Sequence, residues 1–436
     1  MSQQDFNAAL CDFIARATTP FHAVAAMTAQ LRDAGFVALA EERDIKDLAS
    51  GGKYYLTRND SSLVAFVVGS ERAPTEGMRM VGAHTDSPCL LVKPSPEKVK
   101  QGYLQLGVEV YGGALLNPWF DRDLSLAGRV SYRCSGGTLR SALLDYREPI
   151  ATIPSLAIHL DREANKQRKI NPQTDILPVL CQPEAGDTSD FRDYLKQRLL
   201  SEHPDCAVEQ VLDYEMAFYD TQPPAQIGLQ KQFIASARLD NLLSCFTGLQ
   251  SLLASDGKYS SLLICNDHEE VGSASAAGAQ GPLLQSVLRQ LAGSASAYAG
   301  LVERSMMISA DNAHGVHPNY VDRHDDNHGP LLNAGPVIKI NANQRYATNS
   351  ETAGLVRMLA DATQVPLQTF VVRTDMACGS TIGPITASEI GVRTMDIGVP
   401  TFGMHSIREL AGSDDAWHLQ RLLRHFFDYG GNLAAQ

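Results

Sequence analysis

The sequence predicts an α/β fold in which a central mixed sheet flanked by helices is interrupted by an inserted β-rich domain. Three observations predict it. Apolar runs of strand length alternate with amphipathic helical stretches near the N-terminus and again after Phe233, as expected of helices packed on a sheet. Between about Leu90 and Gly228 the texture changes to alternating apolar and polar residues broken by many turn formers. The chain also has 436 residues, enough for two or three domains at about 150 residues each. The expected boundaries are 1–90 and 236–436 for one discontinuous domain, and 91–235 for the insertion.

In chain order, Phe6, Leu10, Phe13 and Ile14 recur at helical spacing, and Thr19-Pro20 is a cap and first-turn pair that opens a second helix. Leu63 to Val68 and Met78 to Ala83 have strand length and end in polar or glycine-bearing turns. Within the insertion, Tyr103 to Tyr111 and Leu126 to Tyr132 alternate as strands, and Phe191 to Leu200 is helical. Further on, Leu242, Phe246, Leu249 and Leu253 share one helical face, Leu262 to Cys265 is a strand, Leu283 to Leu291 a helix and Met306 to Ser309 a strand. Val337 to Ile340, Thr369 to Val372 and Val392 to Ile397 add strands, and a helix over Asp414 to Asn432 closes the chain.

Composition excludes several classes. The chain is 44% hydrophobic and 20% charged, ordinary for a globular protein, and no window approaches the ~18 consecutive apolar residues of a membrane span. A net charge of −12 argues against nucleic acid or anionic lipid as a partner. The eight cysteines include no C-x-x-C pair and are expected to be buried, reduced thiols. The N-terminus lacks a basic stretch followed by an apolar core, so a cytoplasmic location is expected.

Open α/β sheets bind ligands outside the carboxyl ends of their strands, and here four strand ends deliver metal-binding residue types to that edge. His84 and Asp86 follow Met78 to Ala83, Glu269 and Glu270 follow Leu262 to Cys265, Asp311 follows Met306 to Ser309, and His405 follows the strand around Met395. Asp240 joins them just before the helix that begins at Leu242. Singly, each has a simpler explanation: Asp240 as a helix cap, Asp86 and Asp311 as turn formers, Glu269 and Glu270 as a solvated pair, the histidines as loop residues. Together, two histidines and several carboxylates suit zinc, cobalt or manganese, and they outnumber the ligands of one tetrahedral ion, which favours two ions sharing a carboxylate. In extended chain, adjacent Glu269 and Glu270 would face different sides, giving one ligand and one general base. H-E-x-x-H, G-x-S-x-G, G-x-x-x-x-G-K-[ST] and G-x-G-x-x-G motifs are all absent.

The strings VGAHTDSP (81–88), ARLDNL (237–242), DHEEVGS (267–273), SADNAHGVHPNY (309–320), GPVIKIN (335–341) and MHSIRE (404–409) resemble the aspartyl aminopeptidase family of dinuclear zinc exopeptidases, in the same order and over almost the whole chain. The resemblance implies a metallopeptidase catalytic domain and two Zn2+ per subunit, with Co2+ or Mn2+ as substitutes. It implies that His84 and Asp311 hold one ion, Glu270 and His405 the other, that Asp240 bridges them, that Glu269 is the general base, and that Asp86 orients His84. It also implies that His159, in the insertion, reaches the active site of a neighbouring subunit and contacts the substrate or transition state, that Lys339 and Tyr346 bind the substrate, and that the subunits assemble as tetrahedral homododecamers.

The resemblance points to a metalloaminopeptidase that removes N-terminal Asp or Glu from peptides. Two alternatives remain. One is a neutral-residue aminopeptidase or acyl-amino-acid hydrolase of the same fold; the other is a catalytically silent peptide- or metal-binding scaffold, against which the intact Glu269 argues. His314, His317, His324 and His328 are expected to be loop or subunit-contact residues, since the resemblance uses only Asp311 in their segment. From alternation alone, Lys339 could extend its ammonium to the sheet edge.

Overall fold

A computed structural model describes residues 1–40, 45, 48–184 and 190–434. The chain forms two compact units, one of Met1–Asp86, Pro224–Met404 and Glu409–Gln436, the other of Ser87–Pro223 and His405–Arg408. The crossings therefore fall at Asp86 and Pro224 rather than at 90 and 235. Residues after Pro224 pair with the main body: Phe233–Ser236 is antiparallel to Glu409–Gly412.

The first unit is built on a nine-stranded sheet in the order Val37–Ala38, Lys53–Arg58, Ser62–Val67, Ser261–Asn266, Arg79–His84, Met306–Ala310, Arg393–Gly398, Val337–Lys339 and Gln368–Phe370. Its middle four strands are mutually parallel, Ser62–Val67 joins them antiparallel on one side and Val337–Lys339 on the other, so the sheet is mixed. Ser261–Asn266, Arg79–His84 and Met306–Ala310 are buried along their whole length, as expected of parallel strands covered on both faces. Their apolar character stops at the carboxyl ends, where His84 is 1% exposed and Asn266 2% exposed. Polar groups buried there are costly without partners, which marks this edge chemically.

Helices cover the sheet as their apolar spacing dictates. Thr19 caps the second helix, with Pro20 at its first position, and Ser2 and Asp5 form a capping box on the first. The Leu239–Leu253 helix is buried along most of its length, and its Phe246 ring packs 5.2 Å from Phe6 and 5.4 Å from Phe13. Truncating Phe246 to Ala would remove about 3–5 kcal/mol from the support of the helix that carries Asp240. A five-stranded sheet of short strands in the order Ala225–Ile227, Phe233–Ser236, Glu409–Gly412, Pro400–Phe402 and Ala313–His314 completes the unit.

The second unit holds a six-stranded, wholly antiparallel sheet, dominated by the long Leu124–Cys134 and Val208–Asp220 pair, with the Phe191–Glu202 helix packed through Phe191, Leu195 and Leu199. All eight cysteines are free thiols, but only Cys134, Cys245 and Cys265 are buried and Cys181 is exposed. Burial thus holds for three rather than for the set.

Candidate metal centre

The carboxyl ends of the parallel strands supply the site. His84 is the last residue of Arg79–His84, Asp311 immediately follows Met306–Ala310, and Glu269 and Glu270 lie three and four residues beyond Ser261–Asn266. Asp240 sits in the irregular first turn of the Leu239–Leu253 helix, with non-helical φ −83° and ψ 105°. Around His84 Nε2, Asp240 Oδ1 lies at 3.6 Å, Asp311 Oδ1 at 3.8 Å and Glu269 Oε2 at 4.0 Å. Ligand atoms from His84, Asp240 and Asp311 all lie within 4.8 Å of one another, as do those from His84, Glu269 and Glu270.

Glu269 and Glu270 are not in extended chain. They occupy a short 3-10 turn, Glu269–Val271, entered through His268 at φ 63° and left through Gly272 at φ 97°. The directions of their two carboxylates are therefore set by turn geometry rather than by strand alternation. Asp86 fixes that turn. Fully buried, it places Oδ1 3.3 Å from His84 Nδ1, while its two carboxylate oxygens accept the Glu269 and Glu270 N–H groups, each at 3.1 Å. His84 Nδ1 lies closer still, 3.0 Å, to the Asp86 backbone carbonyl, so Asp86 touches both the His84 ring and the double-glutamate turn.

Burial works against a charged His84, but the Asp240, Asp311 and Asp86 carboxylates, with Glu269 beyond them, hold its imidazole well above the usual range. Burial pushes Glu269 up to about 7, partly offset by His84 and reinforced by Asp311, Asp240 and Asp86. So many carboxylates around one imidazole in a buried space call for a cation. Tetrahedral zinc with bonds of about 2.0–2.2 Å sets its ligand atoms about 3.3–3.6 Å apart, and the 3.6 and 3.8 Å separations around His84 Nε2 need little adjustment to meet that. The donor set fits zinc.

Lys339 is 2% exposed, donates from Nζ to the Asn312 carbonyl at 2.9 Å, and stands 3.5 Å from Asp311 Oδ2. Its ammonium therefore stays buried while reaching the strand-end edge that carries Asp311, and lies 5.2 Å from the centre of the Tyr346 ring. Burial, followed by the contact with Cys378, raises the Tyr346 phenol far above its ordinary value. Tyr346 also lines a cavity of about 290 Å³, shared with His314, His317, Arg323, Phe370 and Arg373. Crowding by surrounding protein atoms, and then the Lys339 charge, lower the His314 imidazole, although its side chain keeps an exposed face.

His405 opens the short segment His405–Arg408, at φ 68°, with Nδ1 3.2 Å from the Gly113 carbonyl. His159 lies exposed in a turn of the second unit, beside exposed Leu156, Ile158 and Leu160. Two residues beside the cluster have no functional part in the sequence reading. His314 was passed over as a loop residue, although its alternation with buried Ala313 beside the Asp311 strand end was a usable signal. Glu409, whose carboxylate accepts the Asp240 N–H at 2.8 Å, carried no local signal.

Comparison with known proteins points the same way. Residues 13–427 match a family model described as "Aminopeptidase I zinc metalloprotease (M18)". A "Probable M18 family aminopeptidase 2" of Pseudomonas putida KT2440 is 60% identical over 421 residues, covering 97% of each chain. Among solved structures, one described as the Ape4 and Nbr1 complex superposes with TM-score 0.94 at 37% identity, over 98% of this chain and 86% of that one. The mApe1 dodecamer of S. cerevisiae superposes with TM-score 0.84 at 28% identity, over 98% and 97%.

Proposed function

This chain belongs to the M18 family of zinc aminopeptidases, and on that premise we propose that it removes N-terminal Asp or Glu from peptides with two zinc ions per subunit. The observation that carries the reading is the convergence of His84, Asp240, Asp311 and Glu269 at one buried strand edge. His84 and Asp311 would hold one ion, Glu270 and His405 the second, and Asp240 both; the part given to His405 rests on the family resemblance. When bound, the ions supply Lewis acidity, lowering the pKa of a water and polarising the scissile carbonyl. Glu269 would accept a proton from the attacking water and return it to the leaving amine, a role that suits a carboxylate 4.0 Å from His84 Nε2 at the rim of the cluster. Asp86 keeps Glu269 and Glu270 in register through their backbone N–H groups.

Acidic preference is supported by the Lys339 ammonium and by a neighbouring cavity that carries Arg323 and Arg373. His159 would act across a subunit boundary, a role that suits its exposure among apolar neighbours. Assembly as a tetrahedral dodecamer is proposed from the family resemblance and from the dodecamer described for mApe1. Peptides are the proposed substrates and the cytoplasm the proposed location.

One observation favours a neutral-residue preference instead: Lys339 already has Asp311 and Asn312 as partners, and Val372, Phe370, Met376 and Phe402 give the cavity large apolar walls. Release of the first residue from peptides differing only at that position, measured on metal-depleted and zinc-restored protein, tests both readings. We expect zinc-dependent release with Asp and Glu ahead of Leu. Zinc-dependent release led by Leu would establish the second reading, and no zinc-dependent release would sink both.

A further inference from the structure

We infer that Glu409 is a positioning residue for Asp240, holding the shared metal ligand in place through its backbone. The inference rests on the reading of Asp240 as a ligand. Asp240 and Asn241 have non-helical backbone angles, so the regular helix begins only after them, and the Asp240 N–H lies in an irregular stretch where a buried donor needs a partner from elsewhere in the chain. The Leu239–Leu253 helix follows Arg238, in the left-handed region at φ 59°, and Arg238 provides no side-chain cap. Its guanidinium is engaged elsewhere, donating to the Ala17 and Ile14 carbonyls at 3.1 and 3.2 Å.

The partner of the Asp240 N–H comes instead from 169 residues away. Glu409 Oε2 accepts the Asp240 N–H at 2.8 Å in a buried setting, and Glu409 itself is 2% exposed. The register explains why it can reach: Glu409 lies directly opposite Ser236 in the antiparallel pair of Phe233–Ser236 with Glu409–Gly412, and Asp240 is four residues further along.

Partners behind metal ligands commonly change metal affinity by about 10–100-fold. The test compares wild type, Glu409→Ala, Glu409→Gln and Asp240→Ala by zinc affinity, measured through chelator competition on purified full-length protein with zinc as the probe. Glu409→Ala should weaken zinc binding at least about tenfold, while Glu409→Gln, whose amide oxygen accepts the same N–H, should stay within about threefold of wild type. Wild-type affinity in Glu409→Ala, or equal losses in the Ala and Gln variants, would overturn the inference. Should Glu409→Ala fail to fold, Glu409→Gln decides alone: retained affinity supports the positioning role, and a tenfold loss overturns it. Asp240→Ala separates the two readings, because wild-type affinity there would remove the ligand assignment itself, whereas a loss there with none in Glu409→Ala would remove only the role of Glu409.

Discussion

Replacing Lys339 with Met keeps most of the side chain's length and removes its charge, so it isolates what the ammonium does for an acidic substrate. An ammonium about 4 Å from a carboxylate is worth about 1 kcal/mol in a water-like medium and about 4 kcal/mol at the effective dielectric usual near protein surfaces. With Lys339 2% exposed, the upper part of that range applies, reduced because Asp311 Oδ2 at 3.5 Å already shares the charge. The expected effect is a roughly ten- to several-hundred-fold loss in kcat/KM for N-terminal Asp and Glu relative to Leu. The variant also strips a donor from the Asn312 carbonyl and a cation from Asp311, and those losses fall on every substrate alike. The ratio of kcat/KM values on peptides differing only in the first residue therefore reads selectivity, and metal analysis of the same sample checks that Asp311 still binds. Equal losses on acidic and neutral peptides, or a wild type that prefers Leu, would refute the reasoning.

Two further substitutions test the machinery. Glu269→Gln preserves size and should leave zinc bound while lowering turnover by about 10²–10⁴; near-normal turnover with full metal content would take the general-base role from Glu269. His159→Phe should impair activity without emptying the metal site, and exchange of subunits with the Glu269→Gln protein should restore part of it, since mixed assemblies would unite an intact His159 with an intact Glu269. No recovery in demonstrably mixed oligomers would remove the action across subunits.

Much of the site was legible because parallel strands announce their ends. Met78 to Ala83 and Met306 to Ser309 are continuous apolar runs, and the polar residues after them could be read as an edge before any coordinates existed. Amphipathic helices with large apolar residues, such as the one bearing Leu242, Phe246 and Leu249, were equally plain. Small residues hid others: the Ser350–Thr363 helix buries Thr352, Ala353, Val356, Leu359 and Ala360, too weak a stripe to stand out. The five-stranded sheet was missed because strands such as Ala225–Ile227 and Pro400–Phe402 span three residues and show no period. Glu269 and Glu270 were read as extended because adjacency alone says nothing of the His268 and Gly272 conformations that make their turn. Glu409 was invisible for a related reason: its partner is set by strand register, which joins residues far apart in sequence.

The most direct test of the two-ion account is a zinc titration of metal-depleted protein, with binding and peptide hydrolysis followed on the same sample. The account predicts two tight equivalents per chain, with hydrolysis reaching its maximum only as the second site fills, and neither equivalent held tightly in Asp240→Ala. Full hydrolysis at one equivalent, with no second tight site, would contradict it.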